Sequence, residues 1–344
     1  MDDQPPVTGG LWLGSLRDRA SRAMHPAVWS YVDSGSYDQL TVAEATDGWR
    51  MVRFRPRVLQ GHASAALETT LLGTPFATPV AVAPTAMQRA VHPLGERAMG
   101  AGASAAGCLY VVSSNSGTPF DRLDAGPWWL QAYLPPEREA FLPVLEAAVA
   151  AGARAVVLTV DTPFPGTKHA AEEGDWTGID LSWWRANFPE PKVDGWAHDL
   201  VPGDLTWLRE RAGVPLVVKG VLRGDDAARC LDAGADAIYV SNHGGRQLDR
   251  TVGTAQALVE VVQVVGERAE VYVDGGIRSG LDVLAALALG ARGVFVGRPP
   301  LYALAVDGAR GVEQLLRVLS EELREGLALA GCATPYDAPG LLDS

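Results

Sequence analysis

Residues 241–249 read SNHGGRQLD and follow directly on the apolar run AIYV at 237–240. A buried strand has no structural need of His243 or Arg246 at its exit. Three roles suit such a placement: a sharp turn, an anion site, or the catalytic end of a barrel strand. Imidazole suits proton abstraction near neutral pH. Guanidinium suits a two-pronged grip on a carboxylate. Other polar or small residues stand at the ends of seven further apolar runs. In chain order they are Pro84, Thr85 and Ala86; Ser113 and Ser114; Gln131 and Tyr133; Thr159 and Asp161; Lys219; Asp274, Gly275, Gly276 and Arg278; and Gly297 with Arg298. An Asp near the His could orient it and stabilise the imidazolium. The two arginines beside Gly-rich turns after the last two runs mark the place where barrels of this kind hold a phosphate, on backbone N–H groups and a helix N-terminus.

The elements that must carry these residues are legible in the same runs. They are PVAVAP (79–84), CLYVVSS (108–114), WWLQAYL (128–134), AVVLTVD (155–161), PLVVKGV (215–221), AIYVSNHG (237–244), VYVDGG (271–276) and GVFVGRP (293–299). Continuous Val/Ile/Leu-rich runs bounded by turn residues read as strands buried on both faces, as in a parallel sheet. Segments of helical period separate them, which predicts an α/β fold, a (β/α)₈ TIM barrel. An internal repeat supports it: AGARAVVLTV (151–160), AGADAIYVSN (233–242) and LGARGVFVGR (289–298) share one helix–Gly–strand shape.

The chain of 344 residues is read as a single domain over 1–344, with an N-terminal extension (1–78), a barrel core (79–331) and a long catalytic-face loop (162–203). SRAMHPAVWSYVDSG predicts one amphipathic helix ending at Gly35, with short strands before residue 78, and the segment 300–331 predicts a helix ending at Gly331. The loop carries Trp176, Trp183, Trp184 and Trp196; a loop of that length in a compact domain is usually functional or mobile. A net charge of −12 argues against nucleic acid or an acidic membrane as partner but leaves room for a local cationic pocket. The MDDQPPVTGG start predicts no signal peptide, and no apolar run is long enough to span a membrane. Cys108, Cys230 and Cys332 form no CxxC or disulfide framework, which points to a reducing, cytoplasmic setting. The remaining histidines have no metal-ligand spacing, so no metal is expected.

SNHGGRQLD closely resembles the active-site signature of the FMN-dependent 2-hydroxy-acid oxidases and dehydrogenases, the family of glycolate oxidase, lactate oxidase and mandelate dehydrogenase. PVAVAPTAMQRAVHPLGE (79–96), LTVDTP (158–163), VVKGV (217–221), VDGGIRSG (273–280) and GVFVGRP (293–299) resemble further family blocks in family order, and 30–59 resembles the N-terminal segment. The resemblance implies FMN as cofactor and oxidation of a 2-hydroxy acid. His243 would be the base, taking a proton from either the α-carbon or the α-hydroxyl, with Asp161 supporting it. Arg246 and Tyr31 would bind the substrate carboxylate, and Tyr133 its hydroxyl side. Lys219 would lie at the N1/O2 end of the flavin and stabilise its reduced anion. Pro84, Thr85, Ala86, Ser113, Gln131, Thr159 and Ser241 would hold the ring system. Asp274, Gly276 and Arg278, with Gly297 and Arg298, would hold the ribityl and phosphate end. The resemblance also implies a homotetramer or octamer.

Two positions depart from the family pattern. Lys168 stands where a second arginine is usual, which keeps the charge but loses the fork. Asn115 stands where many relatives carry an aromatic wall. Both surround the substrate and not the flavin, so an unusual 2-hydroxy acid is expected, larger or more polar than glycolate. Oxygen is the expected acceptor; a soluble dehydrogenase using another acceptor, or a monooxygenase outcome, is the near alternative. An IMP-dehydrogenase-like barrel would need a nucleophilic Cys in a catalytic-face loop, and none of the three cysteines lies there.

Overall fold

The computed structural model describes residues 9–169, 175–189 and 195–342. The described residues begin with two helices, α1 (Gly9–Ala23) and α2 (Pro26–Asp33), and not with the single helix expected over this stretch. The break has a local cause. Pro26 forces the residue before it out of the helical region, and His25 is extended at φ −59°, ψ 139°. His25 then caps α2, its Nδ1 accepting from the Ala27 N–H at 3.3 Å. Two short helices follow, α3 (Leu40–Ala43) and α4 (Asp47–Met51). A hairpin of β1 (Thr69–Leu71) and β2 (Thr74–Phe76) supplies the short strands expected before residue 78.

Eight parallel strands then close into a barrel: β3 (Val80–Val82), β4 (Leu109–Ser113), β5 (Trp128–Ala132), β6 (Ala153–Thr159), β7 (Leu216–Val221), β8 (Ala237–Val240), β9 (Glu270–Val273) and β10 (Gly293–Val296), with β10 pairing back onto β3. Each overlaps an apolar run anticipated from the sequence, β6 and β9 starting just ahead of theirs. Both faces are covered, which is why the runs are continuously apolar. Inward residues such as Val111, Trp129, Val157, Val217, Tyr239, Tyr272 and Phe295 fill the barrel, while their neighbours pack outward on the helices. Leu71 and Phe76 of the hairpin join the interior cluster and close its lower end.

The repeated turns explain their glycines. Gly152, Gly234 and Gly290 have φ of 101°, 101° and 100°, left-handed values that a side chain would strain, each just past a helix end. The last helix (Arg298–Leu329) breaks at Asp307–Gly308 and is followed by Gly331. Between β6 and the next helix (Pro202–Ala212), the described residues of the long loop are stitched onto the barrel rim. Ala186 N donates to Ser116 O at 3.0 Å, Phe120 N to Asn187 Oδ1 at 2.9 Å, and Ala197 N to Leu134 O at 2.7 Å. Its described residues are therefore fastened over the C-terminal ends of the strands. Residues 170–174 and 190–194 of the expected loop lie outside the described residues.

Candidate active site

Under that cover lies a cavity of about 370 Å³. The strand-end residues anticipated from the sequence meet there: Pro84, Thr85, Ala86, Ser113, Gln131, Tyr133, Thr159, Lys219, His243, Arg246, Asp274, Gly276, Arg278, Gly297 and Arg298 all line it, with Tyr31, Asn115 and Lys168. A larger, more apolar depression of about 520 Å³ lies at the other end, by the hairpin, but no His, Lys or Arg lines it. The chemistry belongs to the first.

Asp161 does not line the cavity; it stands behind His243. Its Oδ1 lies 3.0 Å from His243 Nδ1, so Nε2 is the ring nitrogen left to act. Burial works to raise the Asp161 pKa, yet the charges of His243 and Lys219 hold it below the ordinary carboxylate range. Burial, opposed by Asp161 and assisted by Lys219 and Arg246, lowers the pKa of His243. The sign follows directly. A base must be neutral, and a depressed pKa keeps it neutral to lower pH. The acid limb of kcat/KM is therefore expected at a midpoint below that of an ordinary histidine, with activity falling as pH drops through it. A pH profile measured on a non-ionising range of substrate checks this; a midpoint above the ordinary value contradicts it.

Lys219, on β7, is 4% exposed and so cannot be a solvated rim residue. Its Nζ donates to Ser241 Oγ at 3.0 Å and lies 3.6 Å from Asp274 Oδ2. Ser241, expected among the cofactor contacts, is placed one layer lower: it is fully buried and does not line the cavity. Its hydroxyl accepts from Lys219 and from the His243 N–H, tying two strand ends together. A buried chain also joins Ser113 Oγ to Gln131 Oε1 and Gln131 Nε2 to Thr159 Oγ1, each at 3.0 Å. It holds three side chains of adjacent strands in register on the cavity floor.

The substrate end is built around α2. The Arg246 guanidinium packs over the Tyr31 ring at 4.6 Å, and its Nη1 donates to Tyr31 O at 2.5 Å and Ser34 O at 3.0 Å. Arg298 donates to Val32 O, Gly244 O and Ser34 O at 3.2, 2.8 and 3.0 Å. Two cations thus cap the C-terminal end of α2, where the helix dipole favours them. For Arg298 this is an addition to the phosphate role expected of it: its donors already serve the helix end while it lines the cavity. Burial, and then the neighbouring Arg246, push Arg298 down to about 10, and burial lowers Arg278 as well. Crowded buried cations of this kind call for an anion.

Lys168 reaches the cavity, with its Nζ donating to Gly166 O at 2.7 Å. Asn115 lines the wall that an aromatic would have formed. Two aromatics enter from the long loop instead. Trp184 lines the cavity, and Trp196 stacks on Tyr133 at 5.5 Å while its Nε1 donates to Thr162 O at 2.6 Å. Trp176 packs edge-on against Tyr31, and Trp183 is buried. The sequence showed four tryptophans near the mouth without separating the two that face inward. Thr162 and Gln247 also line the cavity and were not anticipated, although Gln247 lies inside the signature itself.

A His–Asp pair, a buried lysine and several arginines thus meet at one barrel mouth, the arrangement of an enzyme site with room for an anionic group. The chain belongs to the FMN-dependent dehydrogenase family, whose model matches residues 20–341. It is 38% identical to the L-lactate oxidase of Nostoc sp., over 96% of this chain and 97% of that protein. It is 37% identical to the glycolate oxidase of Spinacia oleracea, over 91% and 90%. Among solved structures, mandelate oxidase with (S)-2-phenylpropionate superposes with a TM-score of 0.88 at 37% identity, covering 95% of this chain and 96% of that one. A lactate oxidase of Pediococcus acidilactici superposes at 0.89 with 31% identity, over 96% and 93%. The protein is thus an oxidoreductase of a family that uses FMN.

The residues present fit that cofactor. Asp274 Oδ1 is buried without a hydrogen-bond partner in the cavity lining, as an acceptor for a hydroxylated chain would be. Arg278 and Arg298 line the same cavity, cations of the kind a phosphate needs, and the buried Lys219 Nζ lies 3.6 Å from Asp274 Oδ2. None of the described helices is long and apolar enough to cross a membrane.

Proposed function

We propose that the protein oxidises a 2-hydroxy acid to the 2-oxo acid, with oxygen as the final acceptor. The observation that carries this reading is the His243–Asp161 pair at 3.0 Å, facing Arg246 and two tyrosines across one cavity. FMN, when bound, supplies the two-electron acceptor. Arg246 and Tyr31 hold the substrate carboxylate, a fixed cation and a hydroxyl donor suited to it. Tyr133, whose phenol is kept protonated by burial and by the nearby Asp161 charge, donates to the substrate oxygen. His243 Nε2 takes the proton that the carbinol centre loses, and Asp161 stabilises the imidazolium that results. Lys219 offers its charge where negative charge accumulates on the cofactor.

The substrate side group meets Trp184 and Trp196 as apolar walls and Asn115 and Lys168 as polar ones. This favours a 2-hydroxy acid larger or more polar than glycolate. Anaerobic mixing of the yellow protein with aliphatic and aryl 2-hydroxy acids tests the reading: one class bleaches the flavin band, and air restores it quickly. No bleaching with any member contradicts the reaction. Glycolate and L-lactate as the best substrates by a wide margin contradict the side-group assignment. Slow recolouring in air contradicts oxygen as acceptor. Trp184→Ala is expected to lower kcat/KM for the bulkiest good substrate about tenfold, through lost apolar contact, and to change glycolate turnover by less than about threefold. Equal losses on both would show that Trp184 only holds the loop.

A further inference from the structure

We infer that Gln247 is a positioning residue that uses the two ends of one amide to hold the catalytic pair and the Lys168 loop in register. The inference rests on the reading of His243 as the base. Gln247 Nε2 donates to Thr162 Oγ1 at 2.8 Å, and Gln247 Oε1 accepts from the Gly166 N–H at 2.8 Å. The amide cannot be turned round, since that would set its NH₂ against the Gly166 N–H. Both contacts fall on the strand-exit loop that begins at Asp161.

The Thr162 contact bears on the tautomer of His243. Thr162 Oγ1 lies 3.2 Å from Asp161 Oδ1 and 3.4 Å from His243 Nδ1. Its single proton can go to either of these or to the Tyr133 hydroxyl, which also hydrogen-bonds Thr162, and a proton sent to Tyr133 leaves Nδ1 as free as one sent to Asp161. Directed to Asp161, it leaves Nδ1 free to carry its own proton toward the same carboxylate oxygen, and Nε2 is then the unprotonated base. Directed to Nδ1, it requires that nitrogen to be bare, which puts the ring proton on Nε2 and disables the base. Gln247 occupies a lone pair of Thr162 and so orients the hydroxyl. The carboxylate, the stronger acceptor, takes the proton. Lys219 and Arg246, which also face His243, are cations and cannot accept Nδ1–H in place of Asp161.

The Gly166 contact bears on the substrate loop. Gly166 crosses so close to the signature that a Cβ there would stand 2.7 Å from Gln247 O and 2.8 Å from Arg246 O. Lys168 Nζ in turn donates to Gly166 O at 2.7 Å. One amide thereby sets the base and the residue that replaces the usual second arginine.

The test uses the holoenzyme and the variants Gln247→Met, Thr162→Val, their double, and Thr162→Ser. Gln247→Met is expected to lower kcat about tenfold and raise KM about threefold, having lost both contacts. Thr162→Val is expected to lower kcat about tenfold with KM little changed. The double variant has a kcat no lower than Gln247→Met alone, because both act through one hydroxyl. Thr162→Ser, which keeps the hydroxyl, recovers most of the loss. A readout independent of turnover is the ¹⁵N spectrum of the histidine rings, with the His243 signals assigned by their loss in His243→Gln. Wild type shows the Nδ1–H form at His243; Gln247→Met shows a mixture. Losses that multiply in the double variant overturn the inference, as does an unchanged tautomer in Gln247→Met. Should Gln247→Met fail to fold, full activity in Thr162→Val overturns it equally. If no 2-hydroxy acid bleaches the wild type, the reaction assignment falls, while the tautomer comparison still decides the role of Gln247.

Discussion

His243→Gln leaves a yellow protein whose kcat/KM for its best 2-hydroxy acid is lower by about 10³- to 10⁴-fold. Glutamine can still hydrogen-bond to Asp161, so the pair is disturbed little as structure. What is lost is a nitrogen able to take a proton near neutral pH. Asp161, its Oδ2 buried without a partner and its pKa held low, is a poor replacement. Anaerobic stopped-flow measurement of flavin bleaching reads the effect on the chemical step itself, and the absorbance ratio at the flavin and protein bands reads cofactor content. A variant that bleaches within tenfold of wild type removes His243 from the role of base. A colourless variant would instead mean that the residue shapes the cofactor site.

Arg246→Lys is expected to lower kcat/KM by about 10³-fold, with KM carrying a large share of the loss. The exchange keeps the charge, so a purely electrostatic role would predict a mild effect. The geometry predicts a severe one. One guanidinium packs on the Tyr31 ring, ties the carbonyls of Tyr31 and Ser34, and presents its remaining edge to the cavity. An ammonium group has no planar face or fork with which to do these at once. Because Tyr31 is itself proposed to meet the carboxylate, a loosened α2 removes two donors together. Steady-state kinetics over a substrate range beyond the new KM checks this; a loss below tenfold would show that Arg246 serves α2 and not the substrate.

The barrel was legible because each strand announces itself twice, by a continuous apolar run and by the polar residue at its end. A chain that must bury both faces of eight strands and also gather reacting groups at one rim has little freedom in either pattern. The dyad was legible for a related reason: Asp161 and His243 both stand at strand exits, and exits of one barrel meet. What the sequence left unread depends on contacts with no local trace. Ser241 looks like its neighbours at the rim, and only the fold shows it beneath Lys219. Trp184 and Trp183 are adjacent in sequence, yet one faces the cavity and the other is buried, because a turn in the loop decides which. Arg298 was expected at the phosphate end; it lines the cavity, and its bonds to Val32 and Ser34, which join residues far apart in the chain, left no trace in the sequence. The split between α1 and α2 is of another kind. Pro26 was visible all along, and an amphipathic pattern running across it outweighed a residue that rarely continues a helix.

That joining of early and late residues has a consequence for biosynthesis. Arg298 follows Val32 by 266 residues, and Arg57 N donates to Ala330 O at 2.9 Å, later still. Residues 26–57 leave the ribosome long before the groups that seat them. A nascent chain stopped before the eighth barrel strand therefore has Tyr31 but nowhere to put it, and lacks both Gly297 and Arg298 at the anion cradle. An anion at that cradle thus has to wait for Gly297 and Arg298, made long after Tyr31.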